Sequence, residues 1–153
     1  MAIKKILKPK NDDEFLGQVS KIIFVAGFRY SVVDQRWPLM EKAFLNFNIS
    51  KLSKFNERNV DKLMKAKGMI RNKGKIEAII ENSRKCLELK KEHGSVLKWI
   101  DKLKKDYKKD PLFKPSLEES FLTFNRIGKT TSGWLASLHN AKGSFIEYDD
   151  GKG

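Results

Sequence analysis

Apolar residues recur at spacings of three and four along nearly the whole chain, and this leaves room for little except packed helices. Phe15, Leu16, Val19, Ile22, Ile23 and Val25-Ala26 predict a helix from an Asn11 or Asp12 cap to about Ala26, closed by Gly27. A second helical segment is expected from Tyr30-Ser31 through Phe44, interrupted at Trp37-Pro38, with a short turn starting at Ser50. Asn56 or Asn59 caps the next helix, which turns Val60, Leu63 and Met64 inward and ends at Gly68. The longest helix follows Gly74, with Ile76, Ile79, Ile80, Ser83, Leu87 and Leu89 as its buried stripe and Cys86 in the core beside it. Gly94-Ser95 separates it from a helix carrying Val96, Leu97, Ile100 and Leu103. Asp106 to Pro115 reads as a Lys- and Pro-rich loop. Ser116 and Glu119 match a capping box opening a helix to Phe124, and Lys129 to Asn140 forms the last helix after a tight connection. Only Ser144 to Tyr148 looks strand-like, and residues 1–10 and 144–153 are expected to be tails. The expectation is one all-α domain over 1–153.

Charge says what such a domain meets. Lys and Arg outnumber Asp and Glu 32 to 19, a formal net charge of +13. An excess of that size fits a polyanionic partner, with nucleic acid ahead of an anionic membrane. A Lys-rich proteome is the alternative source of the same imbalance. The hydrophobic content of 40% excludes a disordered basic tail. One cysteine allows no intrachain disulfide, and with only His93 and His139 it gives no metal cluster. No run approaches the ~20 apolar residues of a membrane span, and Met1 to Lys10 lacks the apolar stretch of a signal peptide, so a cytoplasmic chain is expected.

Two segments concentrate that charge where it has chemical use. In Gly68-Met69-Ile70-Arg71-Asn72-Lys73-Gly74-Lys75, three cations crowd the start of the longest helix. Helix N-termini ordinarily favour acids, because the macrodipole is positive there. Cations at that place, beside free N–H groups, suit an external anion such as phosphate. The alternative is a solvated Lys/Arg-rich turn. In Phe124-Asn125-Arg126-Ile127-Gly128-Lys129-Thr130-Thr131, a short turn ending in Gly128 joins two helices, the second opening with Lys129 and two threonines. This is a helix-hairpin-helix pattern: Gly128 admits a phosphate to the backbone, and the following N–H groups, Lys129 and the hydroxyls of Thr130 and Thr131 hold it. An ordinary helix cap followed by an ordinary helix start has the same appearance.

The run Gly68 to Ile76, continued by Ala78-Ile79-Ile80-Glu81-Asn82, resembles the central motif of the DNA-3-methyladenine glycosylase I family. Ala26-Gly27-Phe28-Arg29-Tyr30 is similar to that family's Ala-Gly-Leu-Ser-Trp, Met40 to Phe47 to its Phe-x-x-Phe segment, and Ile127-Gly128-x-Thr130-Thr131 to its Val-Gly-Thr-Thr. The resemblance covers Asp12 to Leu89 and continues in patches to Asn140. It implies the all-α helix-hairpin-helix glycosylase fold, in which a damaged base is flipped out of duplex DNA into a pocket between helical layers. On that pattern Gly68, Arg71, Lys73, Lys75, Asn125, Gly128, Lys129, Thr130 and Thr131 are the candidate DNA contacts. Phe28 stands where the family has its wedge leucine, Phe24 and Tyr30 are candidate pocket walls together with Trp37, and Trp134 is expected in the core. Ile22 occupies the position of the family's base-contacting glutamate, so acceptance of 3-methyladenine itself is open. The family's zinc-binding Cys and His near both termini and its N-terminal Asn-Glu-Trp-Gly have no counterparts here, and neither metal nor cofactor is expected. The wider superfamily commonly places a catalytic aspartate about one helix beyond the hairpin. Asp149 and Asp150 lie at a similar spacing and are the candidate catalytic residues, against the alternative of a solvated tail.

Two functions follow. The first is a base-excision-repair N-glycosylase that removes an alkylated purine such as 3-methyladenine from duplex DNA, acting as a monomer on DNA with a damaged base and away from membranes. The second is a non-catalytic helix-hairpin-helix module for damaged or distorted duplex. A Lys-rich helical protein of RNA is a third, and it requires the central motif to be accidental.

Overall fold

The computed structural model describes residues 2–4, 9–110, 112, 116–140 and 146–148. Strand β1 (Ala2–Lys4) precedes eight helices: α1 (Asp12–Val25), α2 (Tyr30–Ala43), α3 (Ile49–Leu52), α4 (Glu57–Met64), α5 (Lys73–His93), α6 (Val96–Lys109), α7 (Leu117–Phe121) and α8 (Lys129–Asn140). Strand β2 (Ile146–Tyr148) closes the order. The fold is all-α, as the periodicity requires, and none of the described helices is long and apolar enough to cross a membrane.

Helix α1 is the centre, packing against α2, α3, α5, α6 and α8. Its start is a fastening point. Asn11 caps it through the Glu14 N–H, while the next two acids reach outward to cap other helices. Asp12 accepts the N–H groups of Val96 and Leu97 at 2.9 and 3.3 Å, and Asp13 accepts that of Ile49 at 3.1 Å. One helical turn thus satisfies orphan donors at the starts of α1, α6 and α3, and such caps contribute ~1 kcal/mol each.

The core runs along both sides of α1 and α5. Phe15, Leu16, Val19, Ile22 and Phe24 have no exposed surface, and neither do Ile76, Ile79 and Cys86 of α5. Burial and the neighbouring Asp12 and Asp13 push the Cys86 thiol well above the ordinary range, so it is an inert core residue.

Three expectations need correction. Helix α2 is continuous through Pro38 rather than interrupted there. An internal proline costs ~3 kcal/mol or more. Tyr30, Val33, Trp37 and Met40, spaced three and four apart, are all buried, and each large apolar side chain contributes ~1.5–3 kcal/mol, so packing outweighs the local penalty. Helix α6 continues to Lys109, past the expected loop start at Asp106, with Asp106 inside the helix and paired to Lys102 one turn before it at 3.0 Å. The two segments expected as tails also contain a pairing: Ala2, Ile3 and Lys4 lie opposite Tyr148, Glu147 and Ile146 in an antiparallel ribbon. The strand-like run at the C-terminal end was legible; its partner, read only as part of a basic tail, was not.

Past α2 the backbone makes an unusual turn. Leu45, Asn46 and Phe47 all have positive φ, at 55°, 54° and 58°. Left-handed conformation costs roughly 1–2 kcal/mol per residue outside glycine. The turn delivers Phe47 into a ring stack between Trp37, at 5.4 Å, and Phe44, at 5.3 Å. Gly17 on α1 makes room for it, since a Cβ there would stand 3.1 Å from the Phe47 ring.

Candidate nucleic-acid interface and base-recognition site

Three loops that sequence spacing marks separately meet at the first turns of α5. The first is the α1–α2 corner. Gly27 has φ +70°, and this turn leaves Phe28 47% exposed between the buried Val25 and Tyr30 on either side of the corner. The second is the cationic start of α5, capped by Asn72 through the Lys75 N–H at 3.1 Å. The third is the hairpin between α7 and α8.

Two side chains of α5 hold the other loops in place. Lys75 reaches back to α1, and its ammonium donates to the carbonyl oxygens of Phe24 at 3.2 Å and Ala26 at 2.8 Å. A cation on these terminal carbonyls complements the negative end of the α1 dipole and fixes the corner that carries Phe28. Burial, and after it the positive charge of Arg126, holds the Lys75 ammonium below the ordinary lysine range. Two turns further along, Asn82 is 1% exposed and clasps the hairpin backbone: its Nδ2 donates to the Asn125 carbonyl at 3.1 Å and its Oδ1 accepts the Asn125 N–H at 2.7 Å.

The hairpin itself is built for backbone approach. Gly128 accepts the Ser132 N–H at 2.8 Å and donates its own N–H to the Thr131 hydroxyl at 2.9 Å, so it caps α8. A Cβ on Gly128 would meet nothing within 4 Å, so its outer side is open. Lys129 and Thr130 are exposed beside it, and first-turn N–H groups have no partner within their own helix. Thr131 is 7% exposed and its hydroxyl serves the cap.

The remaining candidate DNA contacts have local attachments. Arg71 is exposed and donates its Nε to the Met64 carbonyl at 2.9 Å, at the end of α4. Lys73 is half exposed and stands 3.9 Å from Glu57, a solvated pair that contributes little. Gly68 has φ +81°, and a Cβ there would stand 2.6 Å from Leu39 Cδ1, so glycine is required by both backbone and packing. Asn125 is exposed and its backbone is held by Asn82.

Of the candidate pocket residues, Ile22, Phe24 and Tyr30 are wholly buried in the core. Trp37 is 8% exposed and lines a neighbouring cavity of about 360 Å³ with Gln18, Lys21, Glu41 and Phe47. Lys21 crosses between the regions, 3.0 Å from Asp34, with its ammonium 5.3 Å from the Tyr30 ring centre and 5.8 Å from that of Trp37. Burial raises the Glu41 carboxyl above its usual range, and Lys21 opposes the shift. Gln18 is 5% exposed; its Oε1 lies 3.0 Å from His139 Nε2, while its Nε2 donor has no partner. Asp149 and Asp150 lie outside the described residues. Among the described residues no three His, Cys, Asp or Glu side chains converge as metal ligands.

Gln18, Asn82 and Arg126 carry parts of this site that spacing did not single out. Asn82 closes the central motif and Arg126 lies inside the hairpin run, but only the fold reveals what either one touches.

The sequence profile of the methyladenine glycosylase family matches residues 8–121, well over half of the chain. The chain belongs to that family. It is therefore a DNA N-glycosylase of base-excision repair and takes DNA as its substrate. Solved structures agree on the fold. A crystal structure of 3-methyladenine DNA glycosylase I superimposes with a TM-score of 0.69 at 20% identity, covering 84% of this chain and 79% of that one. A solution structure of 3-methyladenine DNA glycosylase I, described with a novel mode of alkylated base recognition, gives 0.64 at 20% identity over 84% and 76%. The Staphylococcus aureus 3-methyladenine DNA glycosylase I, solved for its recognition of 3-methyladenine, gives 0.60 at 18% identity, with 65% of this chain matching 53% of that one. The family match ends at Phe121, just before the hairpin, so the hairpin and α8 rest on the structure itself.

Proposed function

We propose that this glycosylase grips damaged duplex DNA as a monomer on the face where the α1–α2 corner, the start of α5 and the hairpin meet, and that it releases an alkylated purine flipped out beside Phe28. The observation that carries this reading is the lacing of those loops to α5 by Lys75 and Asn82. Exposed Phe28 on a fixed corner suits filling the gap that a flipped base leaves. The hairpin N–H groups, Gly128 and Lys129 suit a backbone phosphate, a contact that positions the duplex without reading its sequence.

Ile22 is buried at the family's glutamate position, and the cavity beside Trp37 is the candidate seat for the base in this reading. It combines an aromatic wall, the unpaired Nε2 donor of Gln18, the Glu41 carboxyl and Lys21, which together suit the hydrogen-bonding edge of a purine. Alkylation already makes the base a good leaving group, so modest stabilisation of the oxocarbenium-like sugar suffices. Asp149 and Asp150 supply the candidate carboxylates on sequence grounds.

The test is release of free base from methylated duplex DNA by the wild-type protein and by Asp149→Asn, Asp150→Asn and Gln18→Leu. Release of an alkylated purine, reduced at least tenfold by one aspartate substitution and by Gln18→Leu, supports the reading. Tight duplex binding without release of a methylated purine would overturn the alkylated-purine reading. Release unaffected by Gln18→Leu would move the base seat elsewhere.

A further inference from the structure

Arg126 stands out among the cations of this face. It is exposed with φ +62°, a left-handed backbone uncommon outside glycine. Its guanidinium leaves the hairpin and lies over Gly74 in the first turn of α5, in the space a Cβ at that position would occupy. Among the described residues no acid pairs with it. Its charged neighbours on α5 are cations: Lys75 feels its charge, and Lys73, half exposed in the same helical turn, has only a solvated Glu57 at 3.9 Å. Arg126 therefore bridges two elements with no acid of its own, and an anion between these like charges would lower their repulsion. A planar guanidinium presents several donors in fixed directions, a geometry matched to phosphate oxygens.

We propose that Arg126, seated on Gly74, and Lys73 form a second phosphodiester site that ties the hairpin to α5, next to the phosphate held at Gly128. The inference rests on the DNA-binding reading above and adds a residue and a contact to it. Gly74 has a specific part: the absence of its side chain leaves the space that one amino group of the guanidinium occupies against α5. Lys75 adds positive charge from beneath while its donors stay on α1.

The decisive experiment measures affinity for an undamaged duplex across a salt series, for wild type, Arg126→Gln, Gly74→Ala, the double variant and a control, Lys91→Gln. Lys91 lies on the same helix about 25 Å from Gly74, at 1.5 Å per residue. Each lost phosphate contact lowers the slope of log K against log salt by ~0.9. Arg126→Gln is expected to lose about one unit of slope and about tenfold in affinity at low salt. Gly74→Ala, which favours the helix and leaves the fold intact, is expected to lose a similar amount by displacing Arg126. The double variant should lose no more than either single one, because both substitutions empty one site. Lys91→Gln should keep the wild-type slope. An unchanged slope in Arg126→Gln would overturn the proposal, as would a Gly74→Ala protein that binds like wild type, since Arg126 would then act away from its seat on α5. A wild-type protein that shows no salt-dependent duplex binding would overturn the DNA-face reading itself.

Discussion

At the scale of single residues, the site depends on polar side chains whose partners are backbone atoms. Lys75 is the clearest case. Its ammonium is a structural cation on the last carbonyls of α1, which is why a lysine stands in a helical turn where the dipole disfavours it. Its depressed pKa has a consequence for stability. A folded-state value below that of the unfolded chain means the unfolded chain binds more protons between the two, so stability rises with pH through that window. The difference in unfolding free energy between wild type and Lys75→Met should therefore grow in favour of wild type as pH rises towards the ordinary lysine value. Urea denaturation at a series of alkaline pH values measures it, and a flat difference would show that the ammonium is not held in the partly buried position described.

At the scale of elements, the hairpin and α5 behave as one body because Asn82 joins them. Asn82→Ala leaves the Asn125 N–H and carbonyl without their partner, with an expected cost of about 1–3 kcal/mol. Hydrogen exchange of the Asn125 amide should accelerate, and duplex affinity should fall even though no cation is removed. An Asn125 amide as protected as in wild type would refute the strut. This scale also shows where sequence reading works. The caps at Asn11, Asn56, Ser95 and Ser116 were legible because each is a local rule about a side chain and an N–H three residues on, whereas Asn72 was not read as a cap. Pro38 misled because the local penalty is visible in sequence while the burial of Tyr30, Val33 and Met40 that outweighs it is a property of the packed layers. The α5 start and the hairpin were each legible as cationic segments at the opening of a helix. Their meeting was not, since it depends on Asn82 and Arg126 reaching across 43 and 52 positions of sequence.

At the scale of the whole molecule, the positive charge and the carboxylates are put to different uses. The first-turn acids of α1 are spent on fastening helices, whereas cations at the exposed loops keep their charge available. The ribbon of β1 and β2 has a consequence for how the chain holds together. Its two strands come from either side of the described helices, so their pairing closes a loop that contains all of those helices. Either strand alone is an open edge that only the other covers. A chain stopped after Gly143 should retain its helical circular-dichroism signal yet associate with itself in light scattering as its concentration rises, and it should stay monomeric if residues 2–4 are also removed. The ribbon then acts as a latch: paired, each strand conceals the other's edge, and a chain that loses one strand leaves the other on display.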